Sequence, residues 1–356
     1  MTRISTTSTS TAPARSHRRR LRPHRSFLAA SLWLTLLLMP VRGGCVEIFP
    51  FATQNQSPLV QIFGLPAPGN AFILAPGEKE GMLSADAASN FTQKNNSREA
   101  LLLDGESYRT TLAFRMGVVP GVEAGLELPF AGQGGGVFDS FIIDWHRFFG
   151  LPQGGREDAP RGRLLYSYTR DGTPQLRVDD SSFGLGDVRL TAGVQLVRSD
   201  GDAPRGVALR GSLKLPTGSS NQLHGSGSTD FALWLTASDD YRLPIGHATL
   251  FGAAGAMAMT RGDVLAGQQH PVVAFGSLGG GWSPADWIAF KLQLSGHTAF
   301  YGDSDLSPVS GNSLLLIVGG TLGFSPHTSF DIGVSEDLSV DAAPDVALHL
   351  ALRHCF

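Results

Sequence analysis

Arg109, Arg115, Glu123 and Glu127 fall on alternate positions of apolar stretches, and Arg189, Arg210, Lys214 and Lys291 repeat the arrangement further along the chain. Asp240, Asp331 and Arg353 complete the set. Charges of both signs on one face of successive strands suit two tasks: pairing with one another to stiffen an interior, or contacting a solute that passes through it. A selective anion path would need a less balanced lining. His297 and Ser295 share one face, the best local start for a Ser-His-acid site. No Gly-x-Ser-x-Gly elbow accompanies them, and polar lining is the plainer role for the pair. His146 with Asp144 and Asp139 offers metal-binding side chains, but no metal-ligand spacing repeats. Neither a metal nor a cofactor is expected, and no catalytic residue is assigned.

A period of two positions these side chains. Tyr108, Thr110, Leu112, Phe114 and Met116 alternate with Arg109, Thr111, Ala113 and Arg115, and Val122 to Phe130 alternates likewise around Glu123 and Glu127. The pattern recurs at 188–196, 207–215, 231–240, 287–301, 313–324, 329–338 and 345–356, and is blurred by Gly and Ala at 248–260 and 271–283. A weaker first stretch sets Leu83, Ala85, Ala87 and Phe91 on its apolar face, and Phe300 is assigned to the apolar face of 287–301. The count is about twelve strands, an all-β chain. Beyond residue 45 no run of about eighteen apolar residues is long enough for a spanning helix. With 44 glycines, 17% charged residues and a net charge of −3, the composition fits a barrel half of whose strand positions face water. It gives no argument for nucleic acid.

Connections alternate in length. Val119–Gly121, Leu243–Gly246, Ser283–Asp286 and Ser325–His327 are short, with a slightly longer one at Asp200–Arg205. Gln133–Phe183, Thr217–Thr229, Arg261–Pro271 and Gly302–Asn312 are long. That parity is expected of a transmembrane antiparallel β-barrel with both ends on the short-turn side. Tyr241, Trp282 and Trp287 stand beside short turns, where an aromatic girdle belongs.

The first 26 residues carry six arginines from Arg15 to Arg25 and no acid, and Phe27–Leu38 is almost wholly apolar. This is the layout of a secretory signal peptide, residues 1–45, with cleavage after Gly43 or after Cys45. A retained membrane anchor is the alternative. Acylation of Cys45 is disfavoured by Arg42, and two cysteines at opposite ends make no disulfide framework. Residues 46–79, rich in Pro, Gln, Asn and Gly, break the strand period. Leu59, Ile62, Phe63 and Leu65 need burial, and a plug or lid for the barrel of residues 80–356 supplies it. In the long connection, Asp139 or Ser140 is placed to cap a short helix ending near Phe149. Phe138, Phe141, Ile142, Trp145 and Phe149, with His146 beside them, would then constrict the barrel mouth. The alternatives are that this helix lies outward against the outer leaflet, or that the connection is a loop packed on its own hairpin, Arg163–Tyr168 with Gln175–Val178 around Asp171-Gly172.

The chain ends on Phe356, after an alternating stretch from Val346 to Leu352. This resembles the C-terminal signal of bacterial outer-membrane β-barrels and implies the outer membrane as location, with its lipid and the barrel-assembly machinery as partners. Phe51–Pro58, Phe63–Pro66 and Trp145–Arg156 resemble the family described as domain of unknown function 3187, outer-membrane proteins without an assigned activity. Gly184–Asp187 and Lys214–Gly218 are similar to pieces of barrels linked to aromatic-hydrocarbon degradation. The resemblance implies fold and location and carries over no catalytic residue. The expectation is a passive or gated channel for small, partly apolar solutes of unnamed identity. A closed structural barrel and an outer-membrane hydrolase are the alternatives.

Overall fold

Each alternating stretch forms a β-strand. In the computed structural model, which describes residues 46–136, 147, 160–201, 203–339 and 342–356, the strands are β1 (Lys79–Asn95), β2 (Glu99–Val119), β3 (Val122–Gly134), β4 (Leu165–Arg170), β5 (Thr173–Val178), β6 (Ser182–Leu185), β7 (Arg189–Ser199) and β8 (Arg205–Lys214). They continue as β9 (Asp230–Arg242), β10 (His247–Met259), β11 (Val272–Ala285), β12 (Ile288–His297), β13 (Ser313–Ser325), β14 (Thr328–Asp337) and β15 (Val346–Cys355). Twelve of them close into an antiparallel barrel. Each pairs with the next in sequence except β3, which pairs with β7, and β15 returns to β1 with Glu80 opposite Cys355 and Ser89 opposite Val346. Closure leaves no sheet edge in the wall.

The apolar face of the alternation lies outside. Leu112, Phe114, Leu190, Leu233, Leu235, Phe290, Leu292 and Leu352 are all exposed. A soluble protein does not expose so continuous an apolar band, whereas lipid requires one. Tyr241, Trp282 and Trp287 are exposed beside the short turns, where the membrane surface would lie.

β4, β5 and β6 belong to the long connection after β3. β4 pairs with the outer end of β2, Glu99 opposite Arg170 and Asp104 opposite Leu165. β4 and β5 form the hairpin expected around Asp171-Gly172, both of which have positive φ (48° and 74°), the twist that a two-residue hairpin turn needs. Residues 138–146 and 149, the expected helix and constriction, lie outside the described residues. The first outer connection is a short one, between Asn95 and Glu99. The extra length is in the strands themselves: β1 has 17 residues and β2 has 21, against the roughly ten that cross a bilayer.

Two assignments are corrected. β12 stops at His297, so Phe300 and Tyr301 belong to the following loop and turn inward, 2% and 1% exposed. The backbone breaks there because the loop folds over the barrel mouth. Phe91 is buried rather than outward, on the part of the 17-residue β1 that exceeds the length needed to cross a bilayer.

Residues 46–78 occupy the barrel interior without joining the sheet. Val46 and Ile48 lie against Gly323 and Gly281 near the short-turn rim. The segment climbs to a turn at Ser57–Phe63, where Val60 and Gln61 N–H groups donate to Ser57 O. It then descends, and Pro76 bridges Gly117 just before β1. At Gly117 a Cβ would stand 2.1 Å from Ala75 O, so the close approach requires glycine.

Candidate functional site

The inward face of the wall carries the charges read from the sequence, and they pair along the wall rather than across it. Arg115 bonds Glu80 on β1 at 2.7 Å and Glu123 on β3 at 2.8 Å. Arg210 reaches the same Glu123 at 2.7 Å, Arg189 approaches Glu127 at 3.2 Å, and Arg353 meets Glu80 at 3.3 Å. Lys291 holds Asp331 at 2.9 Å. These are adjacent or next-but-one strands, because the N-terminal segment fills the middle. Asp240 lies at the short-turn rim, its N–H donating to Pro204 O.

The same side chains hold the segment through its backbone. An irregular buried chain must find partners for its N–H and C=O groups. Lys291 donates to Phe49 O at 3.1 Å, Arg109 to Gln61 O at 2.8 Å and Arg210 to Asn70 O at 2.7 Å. Trp234 Nε1 donates to Pro68 O at 2.8 Å, and Gln293 Oε1 accepts from Phe51 N–H at 2.8 Å. Lys214 lies 2.5 Å from Asp187 and 3.3 Å from Asp230, and Asp230 in turn accepts from Gly64 N–H at 2.7 Å.

Among the described residues no hydrogen bond joins His297 to Ser295, and each has other partners. His297 Nδ1 faces its neighbour's carbonyl, Thr298 O, at 2.9 Å, and Nε2 faces Asn55 Nδ2 at 2.9 Å. The carbonyl requires the proton on Nδ1, leaving Nε2 to accept from Asn55. Ser295 accepts from Gln293 instead. A second Ser–His contact, Ser182 Oγ to His224 Nε2 at 2.9 Å, lies in the outer loops, and among the described residues no hydrogen bond brings a carboxylate to His224. Burial holds the His224 imidazole below its usual range.

At the top of the segment the chemistry turns apolar. Leu59, Ile62, Phe63 and Leu65 join Leu223, Leu265, Phe300, Tyr301 and Leu306 from the outer loops and Tyr166 and Tyr168 from β4. Phe63 stacks on Phe300 at 4.7 Å between centroids, and Tyr301 OH donates to Leu59 O at 3.1 Å.

Between the two limbs the interior is not solid. A cavity of about 640 Å³ opens at the short-turn rim between Phe49 and Phe72. It shares Phe49 and Asn70 with a second cavity of about 110 Å³. That one shares Thr53, Gln54 and Pro66 with a third of about 30 Å³, which reaches Leu65 and His297. The series stops below the apolar cluster.

Glu80, Asp86, Asp187, Asp230 and His349, absent from the candidates read in the sequence, are as buried as those that were. Asp86 and His349 stand on the polar faces of the first and last alternating stretches, and that placement was the signal that marked them as lumen-facing. Asp187 and Asp230 lie where strands begin, and only the fold shows their partner.

A closed antiparallel barrel with an apolar exterior, a charged interior and its long connections on one rim is an outer-membrane β-barrel of bacterial type. The chain belongs to the family described as protein of unknown function (DUF3187), whose model matches residues 26–356. Among solved structures it is similar to the COG4313 outer membrane channel from Pseudomonas putida F1, at 13% identity and a TM-score of 0.51, over 81% of this chain and 99% of that one. Weaker likenesses are to CdiB from Acinetobacter baumannii (9% identity, TM-score 0.37, 79% and 60% of the two chains) and the translocator domain of the autotransporter NalP from Neisseria meningitidis (11%, 0.36, 80% and 90%). At these identities the likeness concerns the fold alone. No curated protein sequence matches the chain.

Proposed function

We propose that the protein is a passive, gated channel for small, partly apolar solutes, in which residues 46–79 are the plug and Ser57–Leu65 at its top is the gate. The observation that carries this is the series of cavities between the two limbs, which runs from the short-turn rim to the underside of the Phe63–Phe300 stack. A path then needs only the apex to move, while the charged anchors below stay in place. The apolar lining of that apex suits a solute with an apolar part. A solved structure of similar fold is named a channel, which accords with this reading. Residues 1–45 are taken as the export signal, and Phe138–Phe149 as a further element of the outer mouth.

No catalytic step is assigned. His297 is engaged at both ring nitrogens by Thr298 and Asn55, and among the described residues no hydrogen bond of His224 reaches a carboxylate to orient it. The test is single-channel conductance of the purified protein in planar bilayers. Replacing Ser57–Leu65 with a Gly-Ser linker of equal length is expected to raise conductance several-fold. Unchanged conductance in a variant that keeps its heat-modifiable mobility overturns the gate, and conductance absent from both proteins favours a closed structural barrel.

A further inference from the structure

We propose that the middle cavity of the lumen binds the carboxylate of a small organic acid, held by Arg109 and Arg189. This deepens the channel reading and rests on it for its role in transport, though the binding stands on geometry of its own. Arg109, Arg115, Arg189, Arg210 and Arg353 all line the cavity. The carboxylates bonded to these arginines are Glu80, Glu123 and Glu127. Asp86, directly across from Arg109 in register, is engaged instead by Thr53 Oγ1 at 2.7 Å and His349 Nδ1 at 2.8 Å. Counting Asp86, which lines the cavity too, five arginines face four carboxylates, and a surplus positive charge in a largely buried place recruits a counter-ion.

Arg109 is 7% exposed and makes one hydrogen bond, Nη1 to Gln61 O. Its remaining N–H groups have no acceptor among the described residues. Arg189, 5% exposed, touches Glu127 through Nε and Leu65 O only at 3.4 Å. Buried guanidinium donors normally find acceptors, and a carboxylate between two such forks satisfies them in pairs. The lining also holds Phe49, Pro50, Pro66, Met82 and Trp234, set among the arginines: Arg353 lies over the Phe49 ring at 4.7 Å and Trp234 stands opposite Arg210 in register. A lining that mixes guanidinium groups with apolar side chains favours an anion with an apolar body over a fully hydrated inorganic one. The volume, about 110 Å³, admits several waters or a small acid.

The test uses the purified full-length protein in detergent, with benzoate and inorganic phosphate as probes in titration calorimetry. Wild type is expected to bind benzoate saturably and phosphate at least about tenfold more weakly. Arg109→Gln and Arg189→Gln should each weaken benzoate about tenfold or more, as losing a charge-assisted pair does. Arg109→Lys should restore part of the affinity, and Arg205→Gln, at an exposed turn, none of the loss. Heat-modifiable mobility checks that each variant is folded. Absence of saturable benzoate binding, binding indifferent to both arginine substitutions, or phosphate bound as tightly as benzoate overturns the proposal. Conductance separates the two readings: a conducting protein that ignores benzoate overturns this site alone, while one that binds benzoate and never conducts overturns the channel.

Discussion

Lys214 Nζ lies 2.5 Å from Asp187 Oδ2, and this contact joins the two short sequence pieces that stood out as architectural, Gly184–Asp187 and Lys214–Gly218. Around it Thr217 Oγ1 donates to Gly186 O, Gly218 N–H donates to Asp187 Oδ1, and Val188 N–H donates to Thr217 Oγ1, each at 2.8–2.9 Å. Ser226 Oγ lies 2.6 Å from Lys214 Nζ, and Asp230 ties the cluster to the buried segment through Gly64. One cation thus fastens the outer ends of β7, β8 and β9 and the descending limb together.

Lys214→Met should therefore be among the most disruptive single changes in the lumen. It leaves Asp187 and Asp230 buried without their cation, a loss on the order of 3–5 kcal/mol. The check is the temperature at which the folded band converts to the unfolded one on electrophoresis, expected to fall clearly below that of wild type. Adding Asp187→Asn should recover part of the loss.

Phe63→Ala removes the ring stacked on Phe300 and leaves a hole in the apolar cap. The expected cost is about 3–5 kcal/mol of local packing, felt mainly at the apex because the limbs keep their own anchors. More frequent channel openings with little change in thermal stability are expected. Equal opening frequencies for wild type and variant would count against the apex as the barrier.

Deleting Phe356 should lower outer-membrane yield more than Cys355→Ser does. Phe356 is 74% exposed on the lipid side, stands edge-on to His354, and its N–H donates to Lys79 O at the closing seam. Cys355 contributes through its backbone N–H, which donates to His327 O and survives the serine. Matched yields of the two variants would contradict the expectation.

Acidification should loosen the outer loops through His224. Burial depresses its pKa in the folded state, so below the unfolded value of about 6.5 the unfolded loop binds more protons. Stability contributed by the neutral imidazole is present above that pH and lost as pH falls through the folded value. Protease nicking of the outer loops should rise as the medium is taken from neutral to about pH 5, and the pH-dependent part should vanish in His224→Gln.

The wall was legible because lipid on one side and a polar interior on the other impose strict alternation, and turn lengths report which rim is which. Asp171-Gly172 announced its hairpin for the same local reason. The path of residues 46–78 was not legible: its partners are wall side chains as distant in sequence as Lys291 and Gln293, and irregular backbone leaves no period. Phe300 misled because two residues of separation from a strand end look like continuation, whereas the chain had already turned inward. The candidate arginines were visible one by one, but that Asp86 turns to Thr53 and His349 and leaves Arg109 without a bonded carboxylate is a fact of three dimensions.

Both ends of the lumen segment stay at the short-turn rim, with Val46 beside Gly323 and Pro76 bridged to Gly117. Topologically it is a folded loop laid into a ring, not a thread passed through one. It can enter after the seam between β1 and β15 has zipped, and it can be drawn out toward the periplasm without any chain end crossing the membrane, so assembly faces no knot. A pull on the stretch just before Val46 would shear the ascending limb first and leave the descending limb to follow.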